Sequence, residues 1–135
     1  MNKKEIQEKI HEVSDYVKSR SMGRTKIIAV TKSLDKEAVV IAKEAGIQAV
    51  GENYAQELIE KHRTLGGLEV EWHMIGAVQR NKIRKLSGIL SLWQSVDRIE
   101  VLEEIKKRDP TGKVLIQINP LGERGKGGCS FHEAG

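Results

Sequence analysis

Val114-Leu115-Ile116-Gln117-Ile118-Asn119 is the stretch that decides the fold. Four aliphatic side chains lie in five positions, with the turn Asp109-Pro110-Thr111-Gly112 behind and Pro120 ahead. A short apolar run between turn signals predicts a strand covered on both faces, as in a parallel sheet. Similar runs recur upstream at Lys26–Val30, Ile47–Val50, Val70–Ile75 and Ile89–Val96.

Helical patterns fill the intervals. They run from Asp35 to Ala45 before Gly46, from Ala55 to Leu65 before Gly66-Gly67, from Gln79 to Leu86 before Gly88, and from Arg98 to Lys107. Ahead of the first strand, Ile6, Ile10, Val13 and Val17 form the apolar stripe of an amphipathic helix over Lys3–Ser19. Strands separated by helices must pair in parallel through crossovers, so the predicted class is α/β, a single domain over residues 1–135. Such units build either an open doubly wound sheet or a closed barrel. Ser130-Phe131-His132-Glu133 has the spacing of a capping box, which opens a further helix and suggests a longer parent fold. A barrel usually takes roughly 250 residues, so this chain would form an incomplete one with five strands.

Composition narrows the function classes. Of 135 residues, 39% are hydrophobic, enough for one core, and 31% are charged. No apolar run approaches the roughly 18 residues of a membrane span, and Met1–Ile10 lacks the apolar core of a secretory signal, so a cytoplasmic location is expected. A lone cysteine, Cys129, rules out an internal disulfide framework and a cysteine-built zinc site, and is read as an incidental thiol. Lysine and arginine number 23 against 19 acidic residues, a net +4 that mildly favours phosphate-bearing partners.

In both candidate architectures ligands gather beyond the C-terminal ends of the strands. All five ends here carry polar groups: Thr31-Lys32-Ser33; Glu52-Asn53-Tyr54; His73 leading to Gly76, Gln79 and Asn81; Ser95-Val96-Asp97; and Asn119, which opens the glycine-rich loop Gly122–Gly128. Five polar ends in succession point to a ligand pocket. Lys32 is the sharpest candidate. A desolvated strand-end lysine offers a neutral amine that attacks carbonyls, whereas a solvated one merely snorkels. His73 could act as acid, base or stacking partner, or be a hydrogen-bonded core residue. Asn53 and Asn119 can both donate and accept. The loop has the composition of a phosphate cradle but matches neither common phosphate-binding pattern. Gln79–Lys85 is a basic helix that could meet RNA or a protein; with aromatics at only 4%, nucleic acid is not favoured.

Six motifs then carry a resemblance: Ala29-Val30-Thr31-Lys32, Gly51-Glu52-Asn53-Tyr54-Ala55-Gln56-Glu57-Leu58, Glu71-Trp72-His73-Met74-Ile75-Gly76, Gln79-Arg80-Asn81-Lys82, Ser95-Val96-Asp97 and Val114–Asn119. In this order and spacing, across Lys26 to Cys129, the chain resembles the pyridoxal phosphate homeostasis proteins, relatives of the alanine racemase N-terminal barrel. The resemblance implies a TIM-type barrel that binds pyridoxal 5′-phosphate (PLP) as a Schiff base on Lys32, with Asn53, His73 and Ser95 lining the cofactor. Asn119, Glu123 and Lys126 would stand at the mouth. It implies an intracellular carrier that supplies PLP to client enzymes without catalytic turnover.

Departures from the family pattern are Leu34, where a second lysine is common, and Ala77-Val78 in place of His-Leu. The family's main phosphate-binding segments lie in later units, so weak binding, open barrel edges and self-association are expected of these residues alone. Rival readings are a racemase-like PLP enzyme and an RNA- or protein-binding module acting through residues 79–85. No membrane partner is expected.

Overall fold

The computed structural model describes all 135 residues. Five strands form one parallel sheet: β1 (Ile28–Val30), β2 (Ala49–Glu52), β3 (Glu71–Met74), β4 (Leu90–Val96) and β5 (Val114–Ile116). Helix α1 (Lys3–Ser21) precedes β1, α2 (Glu37–Glu44) follows it, α3 (Ala55–Thr64) follows β2, α4 (Ile83–Leu86) follows β3, and α5 (Ile99–Arg108) follows β4. A last short helix, α6 (Phe131–Ala134), is capped by Ser130, whose hydroxyl accepts from Glu133 N while the Glu133 carboxylate accepts from Ser130 N.

Strand order is β1-β2-β3-β4-β5. That order excludes a doubly wound sheet, in which the strand order reverses at a switch point. With every strand beside its predecessor, the crossovers share one hand and the helices lie on one face. The fold is α/β, a partial barrel of five units. No helix is long and apolar enough to cross a membrane.

The core lies between sheet and helices. Val50, Trp72, Met74, Trp93 and Val96 project from the strands onto Leu58, Ile83, Leu86, Val101 and Ile105 of the helices. Val39 lies on α2, Leu58 on α3, Ile83 and Leu86 on α4, and Val101 and Ile105 on α5, so every crossover helix seals part of the sheet. The basic 79–86 segment is a 3-10 turn (Arg80–Lys82) running into α4, with Ile83 and Leu86 buried and Arg80, Arg84 and Lys85 exposed.

The other, concave face is sparsely covered. The sequence suggests a first strand buried on both faces, but β1 is an edge strand paired only to β2, and Val30 is 52% exposed. The clearest strand in sequence meets the same fate: β5 is the opposite edge, ends at Ile116, and leaves Leu115 51% exposed. β-branched runs report the tendency to extend, and the number of neighbours then sets the burial.

Two irregularities shape the strand ends. Trp93 pairs with Val114 and Val96 with Ile116, and the register shifts in between. Trp93 and Val96 both face the helices, so the bulge leaves Gln94 and Ser95 to turn toward β3. Beside it, a Cβ on Gly76 would collide with the backbone oxygen of Asn53, so only glycine lets the ends of β2 and β3 approach this closely.

Candidate functional site

The C-terminal edge of the sheet assembles the strand-end residues in order. Thr31 N donates to Gly51 O, Ile75 N to Glu52 O, and Gln117 N to Val96 O, while the Ser95 hydroxyl joins the tips of β3 and β4 through Ile75 O. Lys32 leaves the tip of β1, exposed, and none of the chain's ion pairs includes it. Burial of this lysine at the end of an apolar strand is thus not achieved by these five units, because β1 is an edge and the concave face is open. Asn53 is half-buried against Gly76.

His73 sits one row further down, between Gly51 and Leu92 in register, and is 4% exposed. The Gln94 amide donates to its Nδ1 at 2.9 Å, which leaves the proton of the neutral ring on Nε2, 3.9 Å from the Glu71 carboxylate. Burial lowers the pKa of His73 from its ordinary value; the Glu71 charge opposes this and the Lys26 charge reinforces it. Burial thus favours the uncharged ring. Glu71 itself is ion-paired with Lys26, which with burial opposed holds its carboxyl below the usual range. Ser95 donates its hydroxyl to Ile75 O at 2.6 Å and keeps its lone pairs free.

Asn119 and Lys126 serve their own loop. Asn119 Nδ2 donates to the carbonyls of Glu123 and Lys126, its Oδ1 accepts from Glu123 N, and Lys126 pairs with Glu123 at 2.8 Å. Part of the loop's backbone is similarly engaged: Gly122 N with Asn119 O, Lys126 N with Glu123 O, and Gly128 N with the Asp97 carboxylate. Gly128 has φ +113°, and a Cβ there would strike the backbone of Asn119. The Asp97 carboxylate at Gly128 is an acidic anchor, so this end of the loop does not favour an anion.

Sequence reasoning missed the cluster behind the Lys32 turn. Glu52, read from sequence as facing the ligand end, points to the helix side at 0% exposure. Its Oε1 accepts from the Thr31 hydroxyl at 2.6 Å and from Lys61 Nζ at 2.7 Å, while Oε2 has no partner. Lys61 also donates to Thr31 O and to Glu57 Oε1, which in turn accepts from Ser33 N. Burial works to lower the pKa of Lys61, but the bonds to Glu52 and Glu57 outweigh it and hold the ammonium above the usual lysine value. Ser33 is held at φ +60°, a left-handed conformation that costs a non-glycine residue about 1–2 kcal/mol. The available signal was Lys61 itself, three residues after Leu58 on the buried stripe of α3.

A cavity of about 750 Å³ opens at the opposite end of the strands, among Lys18, Lys26, Lys43 and Glu69. Two smaller ones lie at the ligand end: about 470 Å³ beside Asp97, Ile116 and Cys129, and about 410 Å³ between Leu34–Lys36 and Glu57, Lys61 of α3.

No protein-family model matches the sequence. It is 37% identical over 134 residues to the pyridoxal phosphate homeostasis protein of Haemophilus influenzae, an alignment that covers 95% of this chain and 56% of that protein. The chain spans about half the length of the curated relatives it matches. Among solved structures, PipY of Synechococcus elongatus superposes without PLP at a TM-score of 0.79 and 29% identity, over 90% of this chain and 59% of that one. The same protein with PLP bound gives a TM-score of 0.77 at 28% identity, over 90% and 58%. The resemblance carried by the six strand-end motifs therefore holds in sequence and in fold.

Proposed function

We infer that this chain, similar over nearly all its length to pyridoxal phosphate homeostasis proteins, forms five units of a PLP-binding barrel and serves intracellular PLP homeostasis. The observation that carries the reading is the unpaired amine of Lys32 at the tip of β1, in a row of strand ends shared with Asn53 and Ser95 and one step from His73. The donor set fits the aldehyde end of the cofactor: one free primary amine, a neutral imidazole, and a hydroxyl with acceptor capacity. Bound PLP supplies an aldehyde that condenses reversibly with a primary amine. Lys32 presents that amine, Asn53, His73 and Ser95 line the place beside it, and Asn119 and Lys126 shape the mouth through their loop.

Holding without turnover is part of this reading. The Nδ1 lone pair of His73 is taken by Gln94, so the ring has no free basic nitrogen with which to move a substrate proton. We further assign client PLP enzymes as the recipients of the cofactor, and self-pairing to the open strand edges. The test is to incubate the chain with PLP, reduce with borohydride and map the adduct by mass spectrometry. A pyridoxyl group concentrated on Lys32 and lost in Lys32→Ala is expected; even labelling across the exposed lysines defeats the assignment. Alanine racemisation by the loaded protein would replace the carrier reading with an enzymatic one.

A further inference from the structure

We propose that Glu57 and Lys61, both on α3, are positioning residues for Lys32: together they clamp the turn after β1 so that its amine leaves the sheet in one direction. The proposal rests on the assignment of PLP to Lys32. Each residue flanking that lysine is tied from behind. Thr31 is held by its carbonyl to Lys61 at 2.9 Å and by its hydroxyl to Glu52 at 2.6 Å. Ser33 is held by its amide to Glu57 at 2.8 Å, and Leu34 N closes the turn on Thr31 O. Lys61 spends its three N–H groups on Thr31, Glu52 and Glu57, which leaves it none for solvent. The Lys32 side chain takes no part in any of these bonds.

Stability alone does not account for the cluster. Buried ionic groups are commonly matched or bettered by well-packed apolar residues. Here the fully buried Glu52 keeps one oxygen without a partner, and Ser33 is strained where glycine would be relaxed. Both costs fall on the turn that carries the amine. Strain of this kind persists where surrounding structure over-determines a functional geometry.

The test uses the full chain and compares two reagents in Glu57→Ala and Glu57→Gln. PLP followed by borohydride reports an oriented amine; formaldehyde with cyanoborohydride methylates any accessible lysine. In Glu57→Ala the ratio of pyridoxyl adduct at Lys32 to that at Lys36 is expected to fall by about tenfold or more, with methylation of Lys32 unchanged. Glu57→Gln should restore the ratio, because its amide oxygen still accepts from Ser33 N. A folded Glu57→Ala with the wild-type ratio overturns the clamp, as does a Gln variant no better than Ala.

Hydrogen exchange of the Ser33 amide in the wild-type chain reads the clamp without PLP and without any variant. About tenfold protection or more is expected, and an unprotected Ser33 amide overturns the proposal even if Glu57→Ala does not fold. A protected Ser33 in a wild-type chain that shows no preference for Lys32 instead sinks the PLP assignment, and with it the role given to the clamp.

Discussion

His73 and Gly76 show what single residues decide. The depressed pKa of His73 means that the folded chain resists a proton the unfolded chain accepts. Above the ordinary value of about 6.5 both states are neutral and the histidine adds no pH dependence. As pH falls below it, the unfolded state binds the proton first, and stability is lost until the lower folded pKa is passed. Thermal melts from pH 7.5 to 5 should show this decline, and His73→Gln should flatten it; an identical decline in the variant would place the titrating group elsewhere. At Gly76 a methyl group meets backbone rather than a yielding side chain, so Gly76→Ala is expected to cost about 1–3 kcal/mol in urea unfolding. Both residues were visible in sequence as members of a strand-end motif. The glycine's reason was not, because it lies in the approach of a segment more than twenty residues upstream.

Length is a poor guide to the weight an element carries. Helix α1 has 19 residues and none is buried, whereas α3 has 10 and buries Leu58 and Lys61. Ile10→Ala is therefore expected to cost at most about 1 kcal/mol, and Leu58→Ala about 2–5 kcal/mol. Denaturant midpoints of the two variants check the contrast, and equal losses would contradict it. All five strands and their crossover helices were legible, since β-branched runs such as Val114–Ile116 and apolar stripes such as Ala55-Leu58-Ile59 are local signals. Burial was less legible: the aliphatic runs of β1 and β5 say nothing about which strands become edges. The clamp behind Lys32 left only one local trace, Lys61 on the buried stripe of α3. Glu52 and Lys61 lie on different elements, and neither residue type advertises the inward side; nor does the serine at position 33 announce a left-handed turn.

At the scale of the molecule, two unpaired strand edges and an uncovered concave face leave Val30, Leu115 and Ile118 in water. Sedimentation velocity should show mass rising with concentration, and the double variant Val30→Lys, Leu115→Lys should suppress it, as charges on edges do. A concentration-independent monomer would count against self-pairing. The sheet's order has one more consequence. Each ladder joins segments only about twenty residues apart, so every strand after the first emerges from the ribosome with its partner already made. Such a chain can condense vectorially, unit upon unit, with no step at which an early piece must wait for a late one.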